Sequence, residues 1–131
     1  MVKHLIFYNT AFDDLQKHLI ELTEVDNSST SNDSSANQYV CDNASDNIFL
    51  LSYKELLDYY QTADERKSTS TDYAKKMSVY CDESNNAEWW LRSPYYYSNN
   101  AKTVNVNGST YDRYVSDGNR GVRPVLWIEM W

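Results

Sequence analysis

Covalent chemistry needs nucleophiles, titratable groups or metal ligands at workable spacing, and this chain is thin in them. Its 131 residues include two Cys and two His. Cys41 and Cys81 allow one disulfide, but buried, reduced thiols are the preferred reading, because free Cys behaves as a small hydrophobe. No CxxC or Cys/His spacing points to zinc, and no metal or cofactor is expected. His18 follows Asp14 by four residues on a helical pattern and reads as a surface ion pair; His4 is isolated. There is no Gly-rich phosphate loop, no H-E-x-x-H and no Ser/His/Asp pattern. The carboxylates are many, but none is marked as an acid/base couple. What the chain does concentrate is non-covalent contact chemistry. From Tyr95 to Asn119 there are five Tyr, five Asn, three Ser and two Asp. Tyrosine gives large contact area at low entropy cost, and Ser and Asn give adaptable hydrogen bonds.

The candidate ligand-binding residues are Tyr95, Tyr96, Tyr97, Asn99, Asn100, Asn105, Tyr111, Asp112, Tyr114, Ser116, Asp117, Asn119 and Arg120. They lie between Trp89-Trp90-Leu91-Arg92-Ser93-Pro94 and Gly121-Val122-Arg123-Pro124-Val125-Leu126-Trp127-Ile128. The bland alternative is a solvated irregular loop. Five tyrosines are a large aromatic surface to leave in water without use, so binding is the preferred reading. Trp89, Trp90, Arg92, Arg123 and Trp127 are the candidate anchors. On a regular strand only one of Trp89 and Trp90 points inward, and the other is free to floor the ligand surface. Arg92 and Arg123 sit in apolar stretches. Each reads as a structural tie to loop carbonyls or a carboxylate, with anion binding as the alternative.

Several elements must position this surface. Residues 11–22 read as one helix with Phe12, Leu15, Leu19 and Leu22 on its apolar face, capped by Thr10 or Asn9. Residues 27–38 form a polar loop with no visible drive toward burial. Ile48-Phe49-Leu50-Leu51 reads as a buried strand. Ser52-Tyr53-Lys54-Glu55 is a capping box that opens a helix of about ten residues burying Leu56, Leu57 and Tyr60. A third helix is expected near 71–80, capped by Thr71, with Tyr73, Ala74 and Met77 inward. Strands are expected at 88–92, 103–107, 111–115 and 122–129, and Asn107-Gly108 signals a hairpin. Helices followed by a crowded, mainly antiparallel sheet make an α+β domain spanning 1–131, with 89–128 as the motif-bounded ligand face.

The formal charge of −7 is uneven. Residues 1–87 hold 7 Lys/Arg against 15 Asp/Glu, and residues 88–131 hold 5 against 4. An acidic body disfavours nucleic acid and anionic membranes. No stretch reaches the ~18 apolar residues of a bilayer span, and the N-terminal apolar run lacks a signal-peptide cleavage site. The chain is therefore expected to stay inside the cell, to be assembled into a particle, or to have had a leader removed.

The motifs also carry a resemblance. Phe7-Tyr8-Asn9-Thr10-Ala11-Phe12, Asp46–Ser52, Thr71-Asp72-Tyr73-Ala74, Trp89–Pro94 and Gly121–Leu126 resemble, in order, the motifs of a bacterial and phage domain-of-unknown-function family. That family is marked by W-W-L-R-S-P and G-V-R-P-A-L; Val125 stands here where Ala is usual. Only six residues precede the Phe7 motif, where relatives carry a further strand-rich segment, which implies a minimal version, a trimmed chain or a need for a partner strand. The family is similar to the C-type-lectin-like fold shared with formylglycine-generating enzymes and with variable proteins of diversity-generating retroelements. The resemblance implies a non-enzymatic display module, a variable receptor of protein or glycan, on a cell surface or phage particle. A structural or adhesion module of such an assembly is the alternative. An oxidase of the formylglycine-generating type is remote, because it needs a close Cys pair near the ligand face and both cysteines lie upstream. Calcium-dependent sugar binding lacks the Glu-Pro-Asn type triplet of true lectins.

Overall fold

A computed structural model describes residues 2–32 and 38–130, with side chains from Phe7 onward. The chain is α+β, with short helices and two small antiparallel sheets. Helix α1 spans Val2–Ala11 and α2 spans Asp14–Leu19. Strand β1, Thr23–Val25, pairs with β2, Ala44–Asp46. Helices α3 (Tyr53–Tyr59), α4 (Ala63–Arg66) and α5 (Asp72–Lys76) follow. The second sheet has the order β3–β4–β5, with β3 at Trp89–Pro94, β4 at Asn100–Val104 and β5 at Thr110–Tyr114.

Caps decide most of the helix boundaries. The expected helix over 11–22 forms only over Asp14–Leu19, because Asp13 caps it and Ile20 ends it, and a separate helix α1 precedes it. The Asp13 carboxylate accepts the Gln16 N–H at 2.8 Å, and Gln16 Oε1 accepts the Asp13 N–H at 2.9 Å. Thr10 and Asn9 therefore lie inside α1, and Leu15 and Leu22 are exposed rather than buried. The Ser52/Glu55 capping box forms as expected, with Leu56 fully buried beneath it. That helix has seven residues, and Leu57 is partly exposed. Helix α5 starts at its Thr71 cap but lasts only five residues, ending before Ser78 at φ 64°. One turn cannot present a face, and Tyr73 and Met77 point to solvent.

The core lies on one face of the larger sheet. Trp89, Leu91 and Val104 pack against Leu51 and Leu56, flanked by Tyr53, Tyr60 and Val125. Burial along β3 alternates, so Trp89, Leu91 and Ser93 point inward while Trp90 and Arg92 are half-buried on the other side. Trp89 is also fixed by donation from Nε1 to the Arg66 carbonyl at 3.1 Å. Neither 48–51 nor 122–129 is a full strand. The C-terminal stretch makes single bridges at Gly121 to Trp89, Val125 to Phe49 and Ile128 to Ile20. Pro124 has no N–H to give, which interrupts any ladder there.

The polar loop has more order than its composition suggests, although residues 33–37 lie outside the described residues. Asp26 accepts from Ser28 N–H at 2.8 Å, and a 3-10 turn at Ser29–Ser31 buries Ser31. His18 Nδ1 meets the Asp14 carbonyl at 2.6 Å rather than its carboxylate, which lies 3.8 Å from Lys17 Nζ. Cys41 and Cys81 are free thiols, the first exposed and the second half-buried, so neither is the fully buried thiol the sequence suggested.

At the β4–β5 turn, Gly108 has φ 82° and its backbone presses on α4. A Cβ there would lie 1.8 Å from the Ala63 carbonyl oxygen. Gly108→Ala is therefore expected to lower stability by at least the ~1–3 kcal/mol of a strained left-handed residue, read by thermal or urea unfolding.

Candidate functional site

The segment from Tyr95 to Arg120 is a hairpin built onto β3, followed by a return loop. Strand register sorts its residues. Asn100 faces Tyr114 across the β4–β5 ladder, and Val104 faces Thr110. The 95–99 turn and residues 115–117 thus share one end of the sheet, the tip. Asn105 and Gly108 sit at the opposite end, against Ala63.

The tip is tied by backbone bonds and leaves its side chains outside. Val115 N–H donates to Asn99 O at 2.9 Å, Asp117 N–H to Tyr114 O at 2.9 Å, and Asn100 N–H to Tyr97 O at 3.1 Å. Gln38 Nε2 donates to the Tyr96 carbonyl at 2.9 Å. Tyr96 and Tyr97 meet edge to face with ring centroids 5.2 Å apart. They are 53% and 59% exposed, and Tyr114 and Val115 are 57% and 62% exposed. Tyr95 instead turns inward, where the Lys102 ammonium lies 4.7 Å from its ring and 4.7 Å from that of Tyr53.

Two faces emerge from what the sequence presented as one. Asn100, Asp112 and Tyr114 share the core side of the hairpin, where Asn100 Nδ2 donates to Asp112 Oδ2 at 2.8 Å. Trp90, Thr103 and Tyr111 form a row across the opposite side. Asn105 does not join either surface. It belongs to the far turn, where it accepts from Gly108 N–H at 2.8 Å. Asn119 has its carbonyl engaged by Tyr80 N–H at 2.8 Å, and its side chain contacts Arg120. Ser116 is exposed and Asp117 is half-buried.

Arg120 is not an open ligand-face residue. Its Nε lies 2.8 Å from Glu88 Oε2, an ion pair without hydrogen-bond alignment. Glu88 is fully buried and is the residue that sequence reasoning missed. Its other oxygen accepts from Thr103 Oγ1 at 2.7 Å and from Arg113 Nε at 2.8 Å. One carboxylate thus faces two guanidinium groups, and the rings of Tyr111 and Tyr80 cover them at 4.5 and 5.7 Å. The hydrogen bond to Glu88 raises the Arg113 pKa further above its already high value. The available signal was a carboxylate one residue before the buried Trp89, placed by alternation on the opposite face, with arginines following downstream.

Arg92 is a second lock. Nε donates to Asn27 Oδ1 at 3.2 Å, Nη1 to the Leu50 carbonyl at 2.7 Å and to Glu55, and Nη2 to the Asp26 carbonyl at 2.9 Å and to Glu55 Oε1 at 3.0 Å. All five donors are occupied, which leaves none for an anionic ligand. Arg123 stacks 5.1 Å from Tyr60 and 5.0 Å from Trp89, and donates to the Tyr60 hydroxyl at 3.2 Å. Trp127 is 46% exposed and touches Tyr59 edge to face at 5.9 Å, so it packs on the surface rather than in the core.

The architecture is thus an α+β domain in which buried carboxylate–arginine contacts fix a tyrosine-bearing hairpin. Over residues 5–130 the sequence matches a domain of unknown function, DUF6273, and the chain belongs to that family. No curated protein and no solved structure matches it.

Replacing Glu88 by Gln leaves Arg113 and Arg120 without a counter-charge. The expected loss is about 3–5 kcal/mol in urea unfolding, while Glu129→Gln on the exposed C-terminal stretch stays within about 0.5 kcal/mol. Asp26 titrates below the usual carboxylate range, held there mainly by Ser28 and also by Thr30 and Arg92. Its stabilisation is present above the unfolded carboxylate pKa and is lost as pH falls through the lower folded value. An NMR titration of its carboxyl carbon should give that low midpoint, and Ser28→Ala should raise it.

Proposed function

We propose that this protein is a non-enzymatic recognition module that displays a tyrosine-rich hairpin to a protein or glycan ligand. In this reading the scaffold is C-type-lectin-like, and the protein is a variable receptor of a diversity-generating retroelement on a cell surface or phage particle. The observation that carries the reading is the exposure of Tyr96, Tyr97, Tyr111 and Tyr114, each half or more open to solvent, on a hairpin fixed by other residues. Aromatic side chains that add nothing to the core are free to serve as contact anchors. In this reading Tyr96, Tyr97 and Tyr114 are free to vary, whereas Tyr111 also covers the Arg113 guanidinium.

The enzyme alternative gains no residue set. Cys41 and Cys81 are free thiols, and the most buried carboxylate, Glu88, is sealed by arginines. An assembly or adhesion module is the second reading. It is favoured by exposed apolar side chains elsewhere, at Phe7, Val122, Ile128 and Met130.

The expected behaviour of Tyr96→Ser, Tyr97→Ser and Tyr114→Ser combined is a thermal midpoint close to the parent. Each exposed change should cost no more than about 0.5 kcal/mol. Ligands selected on the parent from peptide and glycan libraries should lose binding to the triple variant. A cooperative loss of folding instead would place these rings in the core. Sequencing the locus across the source population tests the variability: substitutions confined to the hairpin and return loop support it, and an invariant locus removes it.

A further inference from the structure

The outer edge of β5 has a definite hydrogen-bonding parity. Asn105 N–H donates to Ser109 O at 2.8 Å, and Val115 N–H donates to Asn99 O at 2.9 Å. Those bonds make 105/109 and 99/115 hydrogen-bonded pairs. Alternation along the uninterrupted register then makes 103/111 and 101/113 hydrogen-bonded as well. Thr110, Asp112 and Tyr114 belong to the other pairs, so their backbone N–H and C=O groups point away from β4. The Tyr114 carbonyl is taken by Asp117 N–H at 2.9 Å. Among the described residues, no backbone partner is taken by either backbone group of Thr110, by either of Asp112 or by the N–H of Tyr114 on this side. Among the described residues no strand or bridge lies on that side of β5.

Natural sheet edges are usually guarded by proline, a bulge or a free charge. β5 contains no proline, and its register with β4 runs five pairs without a shift. Its two charges are engaged within the molecule, Asp112 by Asn100 and Arg113 by Glu88. The Arg113 charge is offset by Glu88, whereas Asp112 accepts from the neutral Asn100 amide and remains a charge beside this edge. The alternate side chains of a strand laid on this edge would run beside Tyr111 on one face and Tyr114 on the other, both exposed.

We propose that the outer edge of β5 docks an extended, proline-free segment of a protein partner as a fourth strand, with Tyr111 and Tyr114 contacting it from opposite faces. This rests on the reading of the hairpin as a recognition surface and narrows the partner to protein main chain bearing apolar or aromatic side chains. A second copy of this chain fits less well. Two-fold antiparallel pairing of outward-facing residues sets Asp112 opposite Asp112, and any other register shortens the overlap.

The test uses the full chain, a phage-displayed random linear-peptide library and a glycan array. Asp112→Pro removes an outward N–H while sparing the bonds to β4, and Asp112→Ala is its control because it loses the same carboxylate. Peptides selected on the parent should bind Asp112→Pro about tenfold or more weakly than Asp112→Ala, at matched thermal midpoints. If Asp112→Pro does not fold, Thr110→Pro at the first strand position carries the same comparison. Equal peptide binding by the two variants overturns the docking edge. Glycan binding that needs the tyrosines and ignores the proline overturns it while leaving recognition intact. Concentration-dependent dimers abolished by the proline assign the edge to a second copy instead. A monomeric parent that binds neither library overturns both readings.

Discussion

A charge taken out of water must find a counter-charge, and the β3 region takes two out of water. Glu88, immediately before β3, and Arg92, within it, both lie on the side opposite Trp89 and Leu91. Each has drawn distant segments to it. Arg92 gathers Asp26, Asn27, Leu50 and Glu55. Glu88 gathers Thr103, Arg113 and Arg120. Desolvating Glu88 or Arg92 without its partners would cost several kcal/mol, so the segments that carry the partners are tied to this strand region.

The two locks divide the molecule. Glu55 is shared, because Oε2 accepts the Ser52 N–H at 2.8 Å while the same carboxylate meets Arg92. The cap of α3 and the floor of the sheet are therefore one structure. On the other side, Glu88 clamps the hairpin through Arg113 and the return loop through Arg120. What these clamps leave free is the tip, where backbone bonds, the Gln38 side chain and the Tyr96–Tyr97 ring contact hold the turn. Separating the residues that keep the fold from the residues that face solvent is what a recognition surface requires of its scaffold.

The local signals were legible. Ser52/Glu55 and Thr71 were readable as caps because a cap is a contact across three residues. The opposite facing of Trp89 and Trp90 was readable because strands alternate. The resemblance to a domain-of-unknown-function family was legible too, and the chain does belong to such a family. Long-range pairing was not legible. Arg92 was expected to tie a carboxylate, but Glu55 lies in another element and sequence alone does not bring the two together. Glu88 went unnoticed because a single acidic residue beside tryptophans looks like solvent-facing strand polarity. Arg120 looked like part of the ligand surface because its neighbours are Asn, Gly and Asp. The 11–22 helix was over-extended because Asp13 reads as a first-turn acid as easily as a cap. Asn105 was grouped with the tyrosines by sequence proximity, whereas the register sends it to the other end of the sheet.

The central claim is that buried carboxylate–arginine contacts hold the fold and that the tyrosine tip does not. The most direct measurement is a saturation scan of all positions from 88 to 123, read as protease resistance of the displayed chain. Tolerance should be broad at Tyr96, Tyr97, Ser98, Tyr114, Val115 and Ser116, and narrow at Glu88, Trp89, Arg92 and Thr103. Intolerance at the tip equal to that at Glu88 and Arg92 would mean that the tyrosines belong to the folding core, and the display account would be wrong.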